Sequence, residues 1–296
     1  MHDTDRCPGQ AHHLRPIAGE SVGARLADHG RGVWRSALSV PYGFRLRPHD
    51  PHVAGQTNRS AHHGVSPRRQ DAAPGVPSQA PEEEQTQCAC YYDRAPVLDQ
   101  CLRLDVTDQK SVDEALRAAG EIDVFVSNAG ATVRASLENV PISEVEALFQ
   151  LNTFGPLRVV QGVLPAMRER GAGRLVFVSS IQGRLVVPII GPYAASKWAL
   201  EAFAETLAVE AGHFGVKVSI LQPGSVSSGA VERAKSFFTE NDPYTPLFKQ
   251  FGPLRGTSIF ETITPEEVAT AVADTIEQPD PPRRVPVGAP ARTALE

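Results

Sequence analysis

Leu175-Val176-Phe177-Val178-Ser179-Ser180, followed thirteen residues after Ser180 by Tyr193-Ala194-Ala195-Ser196-Lys197, decides how this chain folds. The first stretch is a near-continuous apolar run ending in two hydroxyls. Such a run suits a strand covered on both faces, as in a parallel sheet, better than a half-solvated strand, which alternates. The second stretch opens a helix whose apolar positions continue through Leu200, Phe203, Ala204 and Leu207. Strand followed by helix is the repeating unit of a doubly wound α/β fold.

The same unit recurs on either side. Leu102-Arg103-Leu104, Val124-Phe125-Val126 and Val216-Lys217-Val218-Ser219-Ile220-Leu221 read as further strands, and Arg284-Val285-Pro286-Val287 as a last short one. Helix starts are predicted at Ser111-x-x-Glu114, Ser143-x-x-Glu146 and Thr264-x-x-Glu267, each with the spacing of a capping box. Pro265 then falls at a first helical position, where it loses no needed donor. The helix after Ser143 is expected to be interrupted around Gly155-Pro156. The fold class is α/β, a doubly wound, Rossmann-like parallel sheet whose first βαβ portion is unreadable.

That portion should lie in residues 1–95, where composition changes. The segment has no lysine, one isoleucine (Ile17) and one phenylalanine (Phe44), yet eight of the nine histidines. It carries neither a helical nor an alternating apolar period and reads as disordered. An out-of-frame reading of a GC-rich gene would give such a composition. The chain therefore divides into an atypical segment, 1–95, and a folded domain, 96–296. Without two strands from the first segment, the strand Asp123–Ser127 would be an exposed apolar edge.

Charge and composition exclude several roles. A formal charge of -5 argues against a nucleic-acid partner. No apolar run is long enough to span a bilayer, and a cytoplasmic location is expected. Cys88-x-Cys90, with Cys7 and Cys101, lacks the repeated pair of a structural zinc site, so no metal is expected.

Tyr193 and Lys197 lie four apart and so share a helical face. A free tyrosine is too weakly acidic to serve as a base at neutral pH, but a neighbouring ammonium favours its phenolate. The phenol can then exchange a proton with a substrate oxygen. An ordinary helix start bearing a tyrosine and a lysine is the plainer alternative. Ser180 stands at the carboxyl end of a parallel strand, where ligands bind in open α/β sheets. Asn152 lies inside a helix, where its propensity is poor. Its amide serves either to satisfy backbone freed near Pro156 or to hold a water against Lys197.

Asn152, Ser180, Tyr193 and Lys197 resemble, in identity, order and spacing, the catalytic tetrad of the short-chain dehydrogenase/reductase family. Asp105-Val106 resembles the pair that meets the adenine ring there. Ser127-Asn128-Ala129-Gly130 is similar to the family's Asn-Asn-Ala-Gly, with serine replacing the first asparagine. Pro223-Gly224-Ser225-Val226-Ser227-Ser228 resembles its nicotinamide-facing turn, with Ser228 in place of threonine. The resemblance covers residues 96 to 288. It implies an NAD- or NADP-dependent oxidoreductase acting on a small-molecule alcohol or ketone, and a homo-oligomer. Cofactor contacts are implied for Asp105, Val106, Asn128, Ala129, Gly130, Tyr193, Lys197, Pro223, Gly224, Val226 and Ser228.

One family mark is missing. No strand followed by Thr-Gly-x-x-x-Gly-x-Gly occurs, and the nearest pattern, Ala18-Gly19-Glu20-Ser21-Val22-Gly23-Ala24-Arg25, lacks the third glycine. A cofactor-free binding or scaffold protein is therefore the alternative function. Phe237, Phe238, Tyr244, Phe248, Phe251 and Phe260 make the region Gly229–Thr262 aromatic. They read either as a lid for a bulky apolar substrate or as rings packed onto the sheet.

Overall fold

The computed structural model describes residues 36–40, 88–93 and 100–295, apart from 231–232, 239–240 and 252–260. A seven-stranded sheet forms the centre. Its strands are β1 (Ser36–Val40), β2 (Cys88–Asp93), β3 (Gln100–Arg103), β4 (Val124–Ser127), β6 (Gly173–Val178), β7 (Val216–Pro223) and β11 (Arg284–Val287). Two-residue strands β5 (Val133–Arg134), β8 (Ser225–Val226), β9 (Lys235–Ser236) and β10 (Thr262–Ile263) form two small sheets, β5 with β9 and β8 with β10. The central order is β11-β7-β6-β4-β1-β2-β3.

All five strands expected from the apolar runs are present. The edge expected at Asp123–Ser127 is not: β1 pairs parallel with β4, placing Leu38 opposite Phe125 and Val40 opposite Ser127. The next two pairings, β1 with β2 and β2 with β3, are antiparallel. Six residues separate Asp93 from Gln100. A parallel connection needs about a dozen or more, so β2 and β3 must run in opposite directions. Two reversals leave β3 parallel to β1, and the Asp105 end of β3 returns to the edge at which β4, β6 and β7 end.

Helices cover both faces. α1 (Gln109–Ala119), α3 (Gly155–Arg170) and α4 (Gly191–Glu210) pack Val112, Ala115, Val159, Val163, Leu200 and Ala204 against Phe125, Leu175, Phe177 and Ile220. Phe125 meets Phe177 edge-on, ring centroids 6.4 Å apart. On the other face Val124, Val126, Val176 and Leu221 meet Val272 and Ile276 of α6 (Pro265–Glu277). The strands alternate sides, yet both sides are apolar, as a two-faced burial requires. The remaining helices are α2 (Ile142–Phe149), α5 (Thr245–Phe251) and α7 (Ala289–Leu295). Among the described residues no helix is long and apolar enough to cross a membrane.

Of the three capping boxes, the one at Thr264 forms as expected, with Pro265 in the first turn. The other two do not. Asp108 caps α1 by accepting from the Lys110 and Ser111 amides, while Ser111 Oγ accepts from the Asp105 amide at 2.8 Å. Aspartate three residues earlier is an equally good cap and wins. α2 starts directly after Pro141 without a side-chain cap. The interruption expected near Gly155-Pro156 falls just before it, as a π-helical turn at Gln150–Phe154. Pro156 then sits in the first turn of α3, where its missing donor costs nothing.

Candidate active site

Because β4, β6 and β7 are parallel neighbours, the segments that follow them emerge at one edge of the sheet. Asn128-Ala129-Gly130 follows β4, Ser180 follows β6, and Pro223-Gly224 ends β7. Asp105-Val106 reaches the same edge from β3. This is where an open α/β sheet binds its ligand.

α4 brings in the titratable pair. Lys197 is buried, 1% exposed, and its Nζ donates to the Val178 carbonyl at 2.9 Å. It lies 5.9 Å from the centroid of the half-buried Tyr193 ring. Burial pushes the lysine amine down to about 8, partly opposed by the Glu201 carboxylate one turn further along α4. An ammonium has three donors, and Val178 accepts one of them. The others suit a diol such as a cofactor ribose.

The Ile181–Gly183 turn and the π-helical turn Gln150–Phe154 both pack against α4. Ser180 caps the turn Ile181–Gly183, its Oγ accepting from the Gln182 amide at 3.2 Å. Asn152 is fully buried in the π-helical turn. Its Oδ1 accepts from the Ala131 amide, and its Nδ2 donates to the Ala131 carbonyl and to Ser196 Oγ, each at 2.9 Å. Ser196 Oγ in turn donates to the Tyr193 carbonyl at 2.8 Å. The amide thus joins the loop after β4 to the helix carrying Tyr193. The π-helical turn gives it that reach, which explains an asparagine inside a helix.

The Asp105 carboxylate accepts from the Thr107 amide and hydroxyl at 2.8 and 2.7 Å, which fixes the turn after β3. Val106 is buried, and its carbonyl accepts from Arg158 at 3.2 Å. A Cβ at Gly155 would come within 2.6 Å of the Val106 side chain, so the start of α3 needs a glycine to approach this turn. Val226 aligns with Ile263 in the β8–β10 pair, and the Ser228 amide donates to its carbonyl at 2.8 Å. Of the aromatic region, Phe237 packs beside Val133, Leu148 and Tyr193, as a packing role requires. Tyr244 Oη donates to Glu138 at 2.6 Å, which raises the tyrosine above its ordinary acidity range. Phe260 and the side chains of Phe248 and Phe251 lie outside the described residues.

Sequence reasoning missed Ser179, Glu201 and Gln222, a buried polar group directly behind Ser180. The one available signal was that Glu201 stands four residues after Lys197.

The short chain dehydrogenase family model matches residues 79–237. The chain belongs to the short chain dehydrogenase family. The match begins ahead of β2, so the β2–β3 hairpin lies within it. This short chain dehydrogenase is 34% identical over 192 residues to retinol dehydrogenase 8 of Bos taurus, covering 62% of this chain and 62% of the relative's own length. The aligned part is thus less than two thirds of that relative. A short-chain dehydrogenase structure from Streptomyces avermitilis is 34% identical, with a TM-score of 0.57 over 65% of this chain and 71% of that one. A gluconate 5-dehydrogenase from Burkholderia cenocepacia, solved with NADP and tartrate, is 25% identical with a TM-score of 0.52 over 65% and 74%. That last structure holds NADP, and the cofactor of the present chain is NAD or NADP.

Asn128–Gly130 and Pro223–Ser228 emerge at the carboxyl edge of the sheet, and Lys197 reaches that edge through the Val178 carbonyl. After β1 the sequence reads Pro41-Tyr42-Gly43-Phe44, with one glycine, in residues outside the described part. Ala18–Arg25 precedes β1 and also lies outside it. The helix that follows β3, α1, is closed to an anion because Asp108 already takes its first amides.

Proposed function

We propose that this chain transfers hydride reversibly between NAD(P) and a secondary alcohol or its ketone, with Tyr193 as the acid/base group. The observation that carries this reading is the buried Lys197 ammonium beside the Tyr193 ring at the carboxyl edge of the sheet. When bound, the cofactor supplies the hydride acceptor or donor. In oxidation the Tyr193 phenolate takes the proton of the substrate hydroxyl, and in reduction the phenol returns it. Lys197 favours the phenolate through its charge. Its free donors hold the nicotinamide ribose. Ser180 orients the substrate oxygen. Asn152 holds the Tyr193 helix against the loop after β4.

The substrate we infer is apolar. Leu137 and Val186 are 76% and 72% exposed. Leu137 lies against Gly191 at the start of α4, and Val186 lies between Ser180 and Tyr193. Leu137, against the start of α4, and Phe237, beside Tyr193, give that end of the helix an apolar border, in keeping with the likeness to a retinol dehydrogenase.

The test is NAD(P)-linked oxidation of a set of steroid and retinoid alcohols by the full chain and by Tyr193→Phe. Removing one phenolic oxygen should lower kcat by about a thousandfold, within the range for a positioned acid/base group, while the thermal midpoint stays put. A loss of less than tenfold would remove Tyr193 from the chemistry.

A further inference from the structure

Glu201 is a buried carboxylate with no part in the reaction just proposed. It stands one turn beyond Lys197 on α4 and is 3% exposed. A carboxylate is costly to bury unless it is paired and hydrogen-bonded, and here the partners come from several directions. Ser179 Oγ donates to Oε1 at 2.8 Å. Gln222 Nε2 lies 2.9 Å from both oxygens. Arg284 Nε reaches Oε2 at 3.3 Å from β11. A Cβ on Gly183 would sit 2.3 Å from Oε1 and 2.7 Å from Ser179 Oγ. The carboxylate therefore occupies the space a side chain at residue 183 would need.

Ser179, Gln222 and the neighbouring Gly183 each adjoin a reacting segment. Ser179 precedes Ser180, Gly183 ends the turn that Ser180 caps, and Gln222 precedes Pro223-Gly224. Lys197 reaches the same place through the Val178 carbonyl. We propose that Glu201 is a positioning residue: it fixes the Ser180 turn and the end of β7 against α4, and its charge keeps the buried Lys197 an ammonium. This rests on the role given above to Lys197.

Charge relations around Lys197 support the assignment. Its amine is pushed down to about 8 by burial, and Glu201 is the carboxylate that opposes the fall. On α4 itself the other titratable groups are Tyr193, Glu205 and Glu210. Arg284 of β11 pairs with both Glu201 and Glu205. α2 carries Glu144, which pairs with Lys235, and the exposed Glu146. β7 carries Lys217, paired with Asp280, and His213 follows the far end of α4. The turn Ile181–Gly183 and the π-helical turn carry no charge.

The chain has five lysines, Lys110, Lys197, Lys217, Lys235 and Lys249, so lysine-selective ¹³C NMR of the full chain can follow Lys197 alone. Its signal is assigned by its loss in Lys197→Met. In Glu201→Gln the Lys197 midpoint should fall by about one unit from its wild-type value, because an attractive charge is gone. The alkaline limb of alcohol oxidation should move down with it, since the ammonium is lost earlier. Ser179→Ala, which keeps the charge but frees the Ser180 turn, should leave the Lys197 midpoint unchanged and lower kcat about tenfold, the scale of one lost hydrogen bond to a charged group. The NMR measurement needs no turnover. A wild-type chain that oxidises no alcohol would defeat the proposed reaction, and the Lys197 midpoint would still decide the role of Glu201. An unmoved midpoint in Glu201→Gln overturns the inference, as does an unchanged kcat in Ser179→Ala. Should Glu201→Gln fail to fold, Ser179→Ala carries the decision.

Discussion

On one side of the β1–β4 contact, β4, β6, β7 and β11 pair only in parallel. On the other side, β1, β2 and β3 pair only antiparallel. The difference bears directly on chemistry. Parallel pairing sends every strand's carboxyl end to one edge, which is why Asn128, Ser180 and Pro223 meet there. It also requires a long crossover, usually a helix, whose first amides can hold a phosphate. An antiparallel hairpin needs no crossover. Among the described residues no helix lies between β1 and β3. Among the described residues, pairing is parallel through the strands that Tyr193 and Lys197 pack against and turns antiparallel at β2 and β3.

The largest effect expected on this comparison is at the seam. Phe125→Ala in β4 removes a fully buried ring that packs against Phe177, and should cost about 3–5 kcal/mol. Because β4 pairs with both β1 and β6, the loss should appear in urea melts as one shifted transition. Two separate transitions would show that the regions fold independently.

A second effect belongs to the catalytic region alone. Lys197 loses its proton near pH 8 in the folded chain and near 10.5 when unfolded. Between these values the unfolded chain binds more protons, so stability from this group rises with pH. Below pH 8 the full cost of the buried charge applies. Compared with Lys197→Met, the wild-type chain should therefore gain stability from pH 8 to 10. A constant difference between the two would mean that the ammonium is not held out of water.

The smallest effect is at α1. Asp108→Ala removes the cap of that helix and should cost about 1 kcal/mol in a denaturant melt. No change would return the cap to Ser111, as the sequence pattern suggested.

The parallel region was the legible one. Its strands are apolar runs bounded by helix starts, and its reacting residues sit at fixed offsets from strand ends. β1 and β2 were not legible because nothing local marks them. Ser36-Ala37-Leu38-Ser39-Val40 and Cys88-Ala89-Cys90-Tyr91-Tyr92-Asp93 mix small and polar residues, and they become strands by pairing with partners distant in sequence. The same reason hid Glu201, whose partners Ser179, Gln222 and Arg284 are at least 21 residues away. Asn152 was seen as anomalous on local grounds, but its role as a tie between Ala131 and Ser196 required the fold.

Steady-state oxidation of an apolar secondary alcohol by the full chain, with NADP varied to high concentration, tests the contrast between the two regions most directly. The account predicts turnover that depends on Tyr193, with a cofactor KM on the order of millimolar, because the sequence of residues 1–95 offers no Thr-Gly-x-x-x-Gly-x-Gly for the pyrophosphate. No turnover at any NADP concentration would contradict the catalytic reading, leaving a scaffold. A micromolar KM would contradict the other half, by showing that residues 1–95 do form a phosphate site.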